Sequence, residues 1–118
     1  MLHQAPHILL IEDNPCDAEL LEVVLRSEAH AEAQIDRVKR LSEALERLRA
    51  HSFDLVLLDL TLPDECGLRV FQAVQEVAPH LPIVILTGLA DEALATETVR
   101  LGAQDYLVKH EVEGRALA

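Results

Sequence analysis

The chain has 118 residues, half of them hydrophobic but only 3% aromatic, and a formal charge of −11 at neutral pH. That length suits one domain whose core is built from Leu, Val, Ile and Ala. The acidic excess argues against nucleic acid as a direct ligand, which calls for clustered Lys and Arg. No apolar run is long enough to span a bilayer and no secretory pattern opens the sequence, so a cytoplasmic protein without membrane attachment is expected.

Residues 7–11, His-Ile-Leu-Leu-Ile, form a continuous apolar run that stops at Glu12-Asp13-Asn14-Pro15. A short run buried on both faces marks a strand of a parallel sheet. A helix is predicted from Pro15, whose missing N–H is not needed in a first turn. Leu20, Leu21, Val24 and Leu25 share one face of it, while Glu19, Glu22 and Arg26 face away. Residues 33–38 read as a weaker, more polar strand at a sheet edge, after which Leu41, Leu45 and Leu48 recur at helical spacing. Residues 54–59 form a second buried strand, broken by Thr61-Leu-Pro-Asp-Glu-Cys-Gly67. A helix over 68–78 carries Val70, Phe71, Val74 and Val77 as its apolar stripe and ends at Pro79 and Pro82. Residues 83–86 are a third buried strand, closed by Thr87-Gly88. A helix over 91–101 stops at Gly102, a natural C-terminal cap. A last short strand over 106–108 leads into Lys109-His110 and the start of a final helix.

Strands and helices in strict alternation call for a parallel sheet covered on both faces. Right-handed crossovers and a switch in strand order open a crevice at the carboxyl ends of the strands. Glu12, Asp13, Asp59, Thr87 and Lys109 all fall there. Any one of them alone is an ordinary cap or loop residue. Together, three carboxylates repel one another unless Lys109 or a hard cation such as Mg²⁺ sits among them. A carboxylate can attack a phosphoryl group to give an aspartyl phosphate. Metal and lysine would offset the charge of that group, and the Thr87 hydroxyl can hydrogen-bond one of its oxygens. Glu12 and Asp13 share a short loop and suit metal ligation, directly or through water, which leaves Asp59 as the acceptor. Cys16 and Cys66 form no CxxC motif and are expected to be reduced thiols. The six histidines are scattered singly and are read as solvated or packing side chains.

The segments Leu-Ile-Glu-Asp-Asn (10–14), Leu-Leu-Asp-Leu-Thr-Leu-Pro-Asp (57–64) with Gly67, Ile-Leu-Thr-Gly (85–88) and Gly-Ala-Gln-Asp-Tyr-Leu-Val-Lys (102–109) resemble the response-regulator receiver family, in order and at family spacing. The resemblance implies one receiver domain over 1–118, a doubly wound α/β fold with a flavodoxin-like five-stranded sheet in the order 2-1-3-4-5. It implies Asp59 as phosphoacceptor and Mg²⁺ held by Glu12, Asp13, Asp59 and the backbone carbonyl of Thr61. It matches Lys109 to the family's lysine, and Thr87 and Tyr106 to its switch pair. Tyr106 read from the residues alone would be a packing aromatic. The partners implied are a sensor histidine kinase or histidine phosphotransfer protein, and an output domain or downstream protein. The family's last helix is longer than 111–118, so a truncated final helix is expected, with an uncovered apolar face that favours pairing of two copies. Two departures concern the cleft. His110 follows Lys109 where the family usually has a proline, often cis; a cis bond to another residue costs about 3–4 kcal/mol, so trans is expected. Gly88 leaves more room beside a phosphoryl group.

Rival folds and functions lack their motifs. A flavodoxin-type binder needs a Ser/Thr/Gly-rich phosphate loop where Glu12-Asp13 stands. A P-loop needs GxxxxGK[ST], which is absent. A haloacid-dehalogenase-like phosphatase needs a second aspartate at the position of Thr61. The remaining alternative is a degenerate receiver that acts only as a protein-interaction module, against which stand the acceptor, the acidic pair and the lysine, all present.

Overall fold

The structure, a computed structural model, describes residues 5–28, 32–109 and 111. Strands and helices alternate as β1 (His7–Ile11), α1 (Pro15–Glu28), β2 (Gln34–Val38), α2 (Leu41–Ala50), β3 (Leu55–Asp59), α3 (Leu68–Val77), β4 (Ile83–Thr87), α4 (Glu92–Arg100) and β5 (Asp105–Val108). All pairings are parallel, in the order β2-β1-β3-β4-β5.

The two-residue period of each strand divides the core into two layers. Leu9, Ile11, Val56, Leu58, Ile83 and Ile85 point to one face, where they meet Leu41 and Ala44 of α2, Val70, Phe71 and Val74 of α3, and Ala95 of α4. Ile8, Leu10, Leu57 and Leu86 point to the other face and pack on Ala18, Leu21 and Val24 of α1. The central strands are therefore buried on both sides, which is why they read as unbroken apolar runs. At the edge, β2 keeps only Val38 buried among its own five residues.

The element boundaries differ from the sequence expectation by a residue or two, for local reasons. Asp54 precedes β3: the His7 N–H donates to its carboxylate at 2.8 Å, and not to a backbone carbonyl as a ladder bond would. Residues 89–91 form a single 3₁₀ turn, so α4 begins at Glu92 and not at the expected Asp91. At the far end of α4, Gly102 adopts φ +125°. Its N–H donates to the Val99 carbonyl, and the Ala103 N–H donates to that of Thr98. This paired closure of the last turn needs a backbone that side chains rarely permit. The expected final helix over 111–118 and the geometry of the Lys109–His110 bond lie outside the described residues.

The chain reverses its direction of travel across the sheet at β1, which has β2 on one side and β3 on the other. Crossovers leave this point in opposite directions, so the loops after β1 and β3 splay apart and open a crevice.

Candidate functional site

A cleft of about 330 Å³ occupies that crevice, with Glu12, Asp13, Asp17, Asp59 and Asp91 contributing carboxylates and Lys109 the one cation among its described lining residues. Each group is delivered by the end of a different element. Glu12 continues β1 by one further ladder bond, from its N–H to the Val38 carbonyl, so its side chain is sunk at the edge of the core and wholly buried. Asp59 is the last residue of β3, opposite Leu86 of β4. Thr87 ends β4 opposite Val108, and Lys109 follows β5 directly.

The Lys109 ammonium lies 2.6 Å from Glu12 Oε1, 2.8 Å from Asp59 Oδ2 and 3.1 Å from Asp17 Oδ2. The remaining oxygens of Glu12 and Asp59 accept backbone N–H bonds, from Asn14 at 3.2 Å and from Thr61 at 2.8 Å. Burial pushes the Glu12 carboxyl up to about 7, with Asp59 beside it adding to the rise and Lys109 opposing it. Burial works against charge on Lys109, but the carboxylates of Asp59 and Glu12 outweigh it and hold the amine well above the ordinary lysine range. The Lys109 amine is thus held as an ammonium at the centre of the site.

Glu12, Asp13 and Asp59 each offer a carboxylate oxygen, and these lie within 4.8 Å of one another. Hard oxygen donors at that separation, one of them fully desolvated, fit a small divalent cation such as Mg²⁺. Asp13 is exposed, leaving one side of the cluster open to water or to a phosphate oxygen. The Thr87 hydroxyl, nearly buried, turns to the Gly88 carbonyl at 3.1 Å. A Cβ built on Gly88 would meet no atom within 4 Å, so this side of the cleft is open. Tyr106 packs against the core from β5, and its hydroxyl donates to Glu92 Oε2 of α4 at 3.2 Å. It does not line the cleft.

The loop after β3 is stiffened where it passes the site. The Leu62 N–H donates to the Glu65 carbonyl, the Gly67 N–H donates to Leu60, and Thr61 bridges Cys66. Gly67 closes the turn at φ +81°. Asp64 extends from this loop to α2, where its two oxygens accept the N–H groups of Leu41 and Ser42 at 2.9 and 3.0 Å. The slight burial of the Asp64 carboxyl is outweighed by those two donors, which hold it below the usual aspartate range.

The expected site residues Glu12, Asp13, Asp59, Thr61, Thr87 and Lys109 are all brought together in the cleft. Two contributors are not visible in the motifs. Asp17 reaches Lys109 from the first turn of α1, and Arg37 reaches from β2 to the carbonyls of Glu12 and Asp13, at 3.3 and 3.5 Å. Cys16 and Cys66 are exposed thiols, and neither lines the cleft.

A doubly wound parallel sheet carrying carboxylates, a hydroxyl and a lysine at its switch point is the arrangement that the sequence resemblance implies. The chain belongs to the response regulator receiver domain family, which it matches over residues 8–117. It is 33% identical over 102 residues to the cell cycle transcriptional regulator CtrA of Caulobacter vibrioides, covering 86% of this chain and 43% of that protein. The chain therefore spans less than half the length of that curated relative, and 24% of the transcriptional regulatory protein ZraR of Escherichia coli. Among solved structures it resembles the phosphorylated cyanobacterial phytochrome response regulator RcpA, with a TM-score of 0.76 and 25% identity over 94% of this chain and 91% of that one. It also resembles the receiver domain of the sensor histidine kinase PA1611 of Pseudomonas aeruginosa, which holds a magnesium ion in its active-site cleft; the TM-score is 0.73, with 25% identity over 96% and 95% of the two chains. No helix among the described residues is long and apolar enough to cross a membrane.

Proposed function

We propose that this receiver domain accepts a phosphoryl group on Asp59 from a phosphohistidine of a sensor kinase or phosphotransfer protein. The observation that carries this is the meeting of Asp59, Glu12 and Lys109 at one point of the switch-point cleft, with Asp13 at its open side. A carboxylate oxygen of Asp59 forms a bond to phosphorus as the bond from phosphorus to the donor nitrogen breaks, and the electron pair leaves with the imidazole. Glu12, Asp13 and Asp59, with the Thr61 carbonyl, would hold Mg²⁺, which when bound supplies positive charge to the phosphoryl oxygens. Lys109 and the Thr87 hydroxyl are the chain's own donors to those oxygens. Hydrolysis, a separate step in which water attacks phosphorus and inorganic phosphate leaves as the Asp59 carboxylate is restored, needs water to reach phosphorus, and the open side at Gly88 provides a path; Gly88→Ala is expected to lengthen the phosphoryl lifetime. Movement of Thr87 toward the phosphoryl group would free space for Tyr106 and so alter the surface of α4 and β5, which an output domain or separate partner would read.

Incubation with Mg²⁺ and a small phosphodonor such as phosphoramidate is expected to add the mass of one phosphoryl group. Asp59→Asn should abolish that gain while preserving the fold by circular dichroism. Undiminished labelling of the variant would overturn Asp59 as acceptor. A wild-type chain that takes up no phosphoryl group would instead be a receiver acting by protein contact alone.

A further inference from the structure

A lysine ammonium has three N–H donors, and in this cleft three carboxylates surround it. Glu12 and Asp59 belong to the trio whose oxygens converge within 4.8 Å, while Asp17 is outside that trio. A divalent cation on the trio therefore draws away two of the three partners of Lys109. Asp17 is left. Its place is fixed independently of the metal: its N–H donates to Asn14 Oδ1 at 3.2 Å, in the cap of α1, and the adjacent Ala18 is fully buried. Lys109 sits on a flexible four-carbon stem and is 22% exposed, so an unanchored ammonium would be free to turn toward solvent. We propose that Asp17 is a positioning residue for Lys109, keeping the ammonium over the cleft while Glu12 and Asp59 are engaged by cation and phosphoryl group. One N–H then stays on Asp17 and two are released toward the phosphoryl oxygens. This role rests on the receiver chemistry proposed above, and it adds a residue contributed by α1, 92 positions earlier in the chain.

The chain contains only two lysines, Lys39 and Lys109. Lys39 is exposed and serves as an internal standard. Competitive acylation of the full chain with a water-soluble amine-reactive ester, in saturating Mg²⁺, reads the protection of Lys109 relative to Lys39 by mass spectrometry. Asp17→Ala is expected to speed acylation of Lys109 about threefold, the scale of a partly exposed ion pair. Asp17→Asn, which retains an oxygen acceptor, should recover most of the protection. Phosphoryl uptake from phosphoramidate should follow the same rank: wild type fastest, Asp17→Asn next, Asp17→Ala slowest. Equal protection of Lys109 in wild type and Asp17→Ala, with wild-type labelling of Asp59 intact, would overturn the role of Asp17. Absence of labelling in the wild type would instead overturn the receiver chemistry, and the acylation ratio would still report whether Asp17 holds the lysine.

Discussion

Removed from water, the Glu12 carboxyl keeps its proton up to about 7, against 4.5 for an unperturbed glutamate. The folded chain binds this proton more tightly than the unfolded chain. The Glu12 contribution to stability is therefore fully present below about 4.5 and is lost as pH rises through about 7. A divalent cation reverses the preference, because ligation needs the carboxylate. Below about 7 each Mg²⁺ must expel a proton from Glu12, so apparent affinity should fall about tenfold per further pH unit. Thermal melting with Mg²⁺ titrated at about pH 6 and about pH 8 tests this: the shift in melting temperature should need far less metal at the higher pH. Glu12→Gln should weaken Mg²⁺ binding and flatten what pH dependence remains. A midpoint independent of pH in the wild type would show that Glu12 does not ligate.

The elements hold these residues through a few specific contacts. Asp64 caps α2 from the loop that also carries Thr61. Asp64→Ala should cost about 1 kcal/mol in chemical denaturation, the usual value of a lost helix cap. Because its carboxyl lies below the ordinary range, that stabilisation should be present above the unfolded aspartate value of 3.8 and fade as pH falls through the folded one. Gly102→Ala should cost about 1–3 kcal/mol, since its φ of +125° suits glycine and a new Cβ would lie 2.5 Å from the Gln75 side-chain nitrogen. Much of this level was legible in the sequence. β1, β3 and β4 announce themselves because burial on both faces leaves no polar alternation to confuse with a helix, and their ends place Glu12, Asp59 and Thr87 without further information. The edges of β3 and β5 slipped by one residue, because strand ends depend on partners such as His7 that only the folded chain supplies. Asp17 and Arg37 were illegible for the same reason. An acid in a first helical turn is ordinary helix-dipole chemistry. An arginine in a polar edge strand looks solvent-facing. Their contacts with Lys109 and with the carbonyls of Glu12 and Asp13 exist only once distant segments meet.

At the scale of the whole molecule, the proposed link between the cleft and the α4–β5 surface runs through Tyr106, the only tyrosine in a chain without tryptophan. Intrinsic fluorescence near tyrosine's emission thus reports on one residue, whose hydroxyl now faces the Glu92 carboxylate. Binding of a phosphoryl mimic such as beryllofluoride with Mg²⁺ should change that emission, and Asp59→Asn should silence the change. An unaltered spectrum on saturating the wild type would show that Tyr106 does not follow the site. The ammonium of Lys109 has one further consequence, for which ions the molecule admits. A covalently attached monovalent cation competes at every moment for the same carboxylate oxygens, because its tether keeps it from diffusing away. Sodium or potassium offers those oxygens no more charge than the resident already provides, so ordinary cellular salt has little to gain by entering. A doubly charged ion does gain, and it must be small enough to sit within the trio without evicting the lysine from the cleft. On the Mg²⁺ binding proposed above, selection of the ion by valence would be set by a side chain of the protein itself.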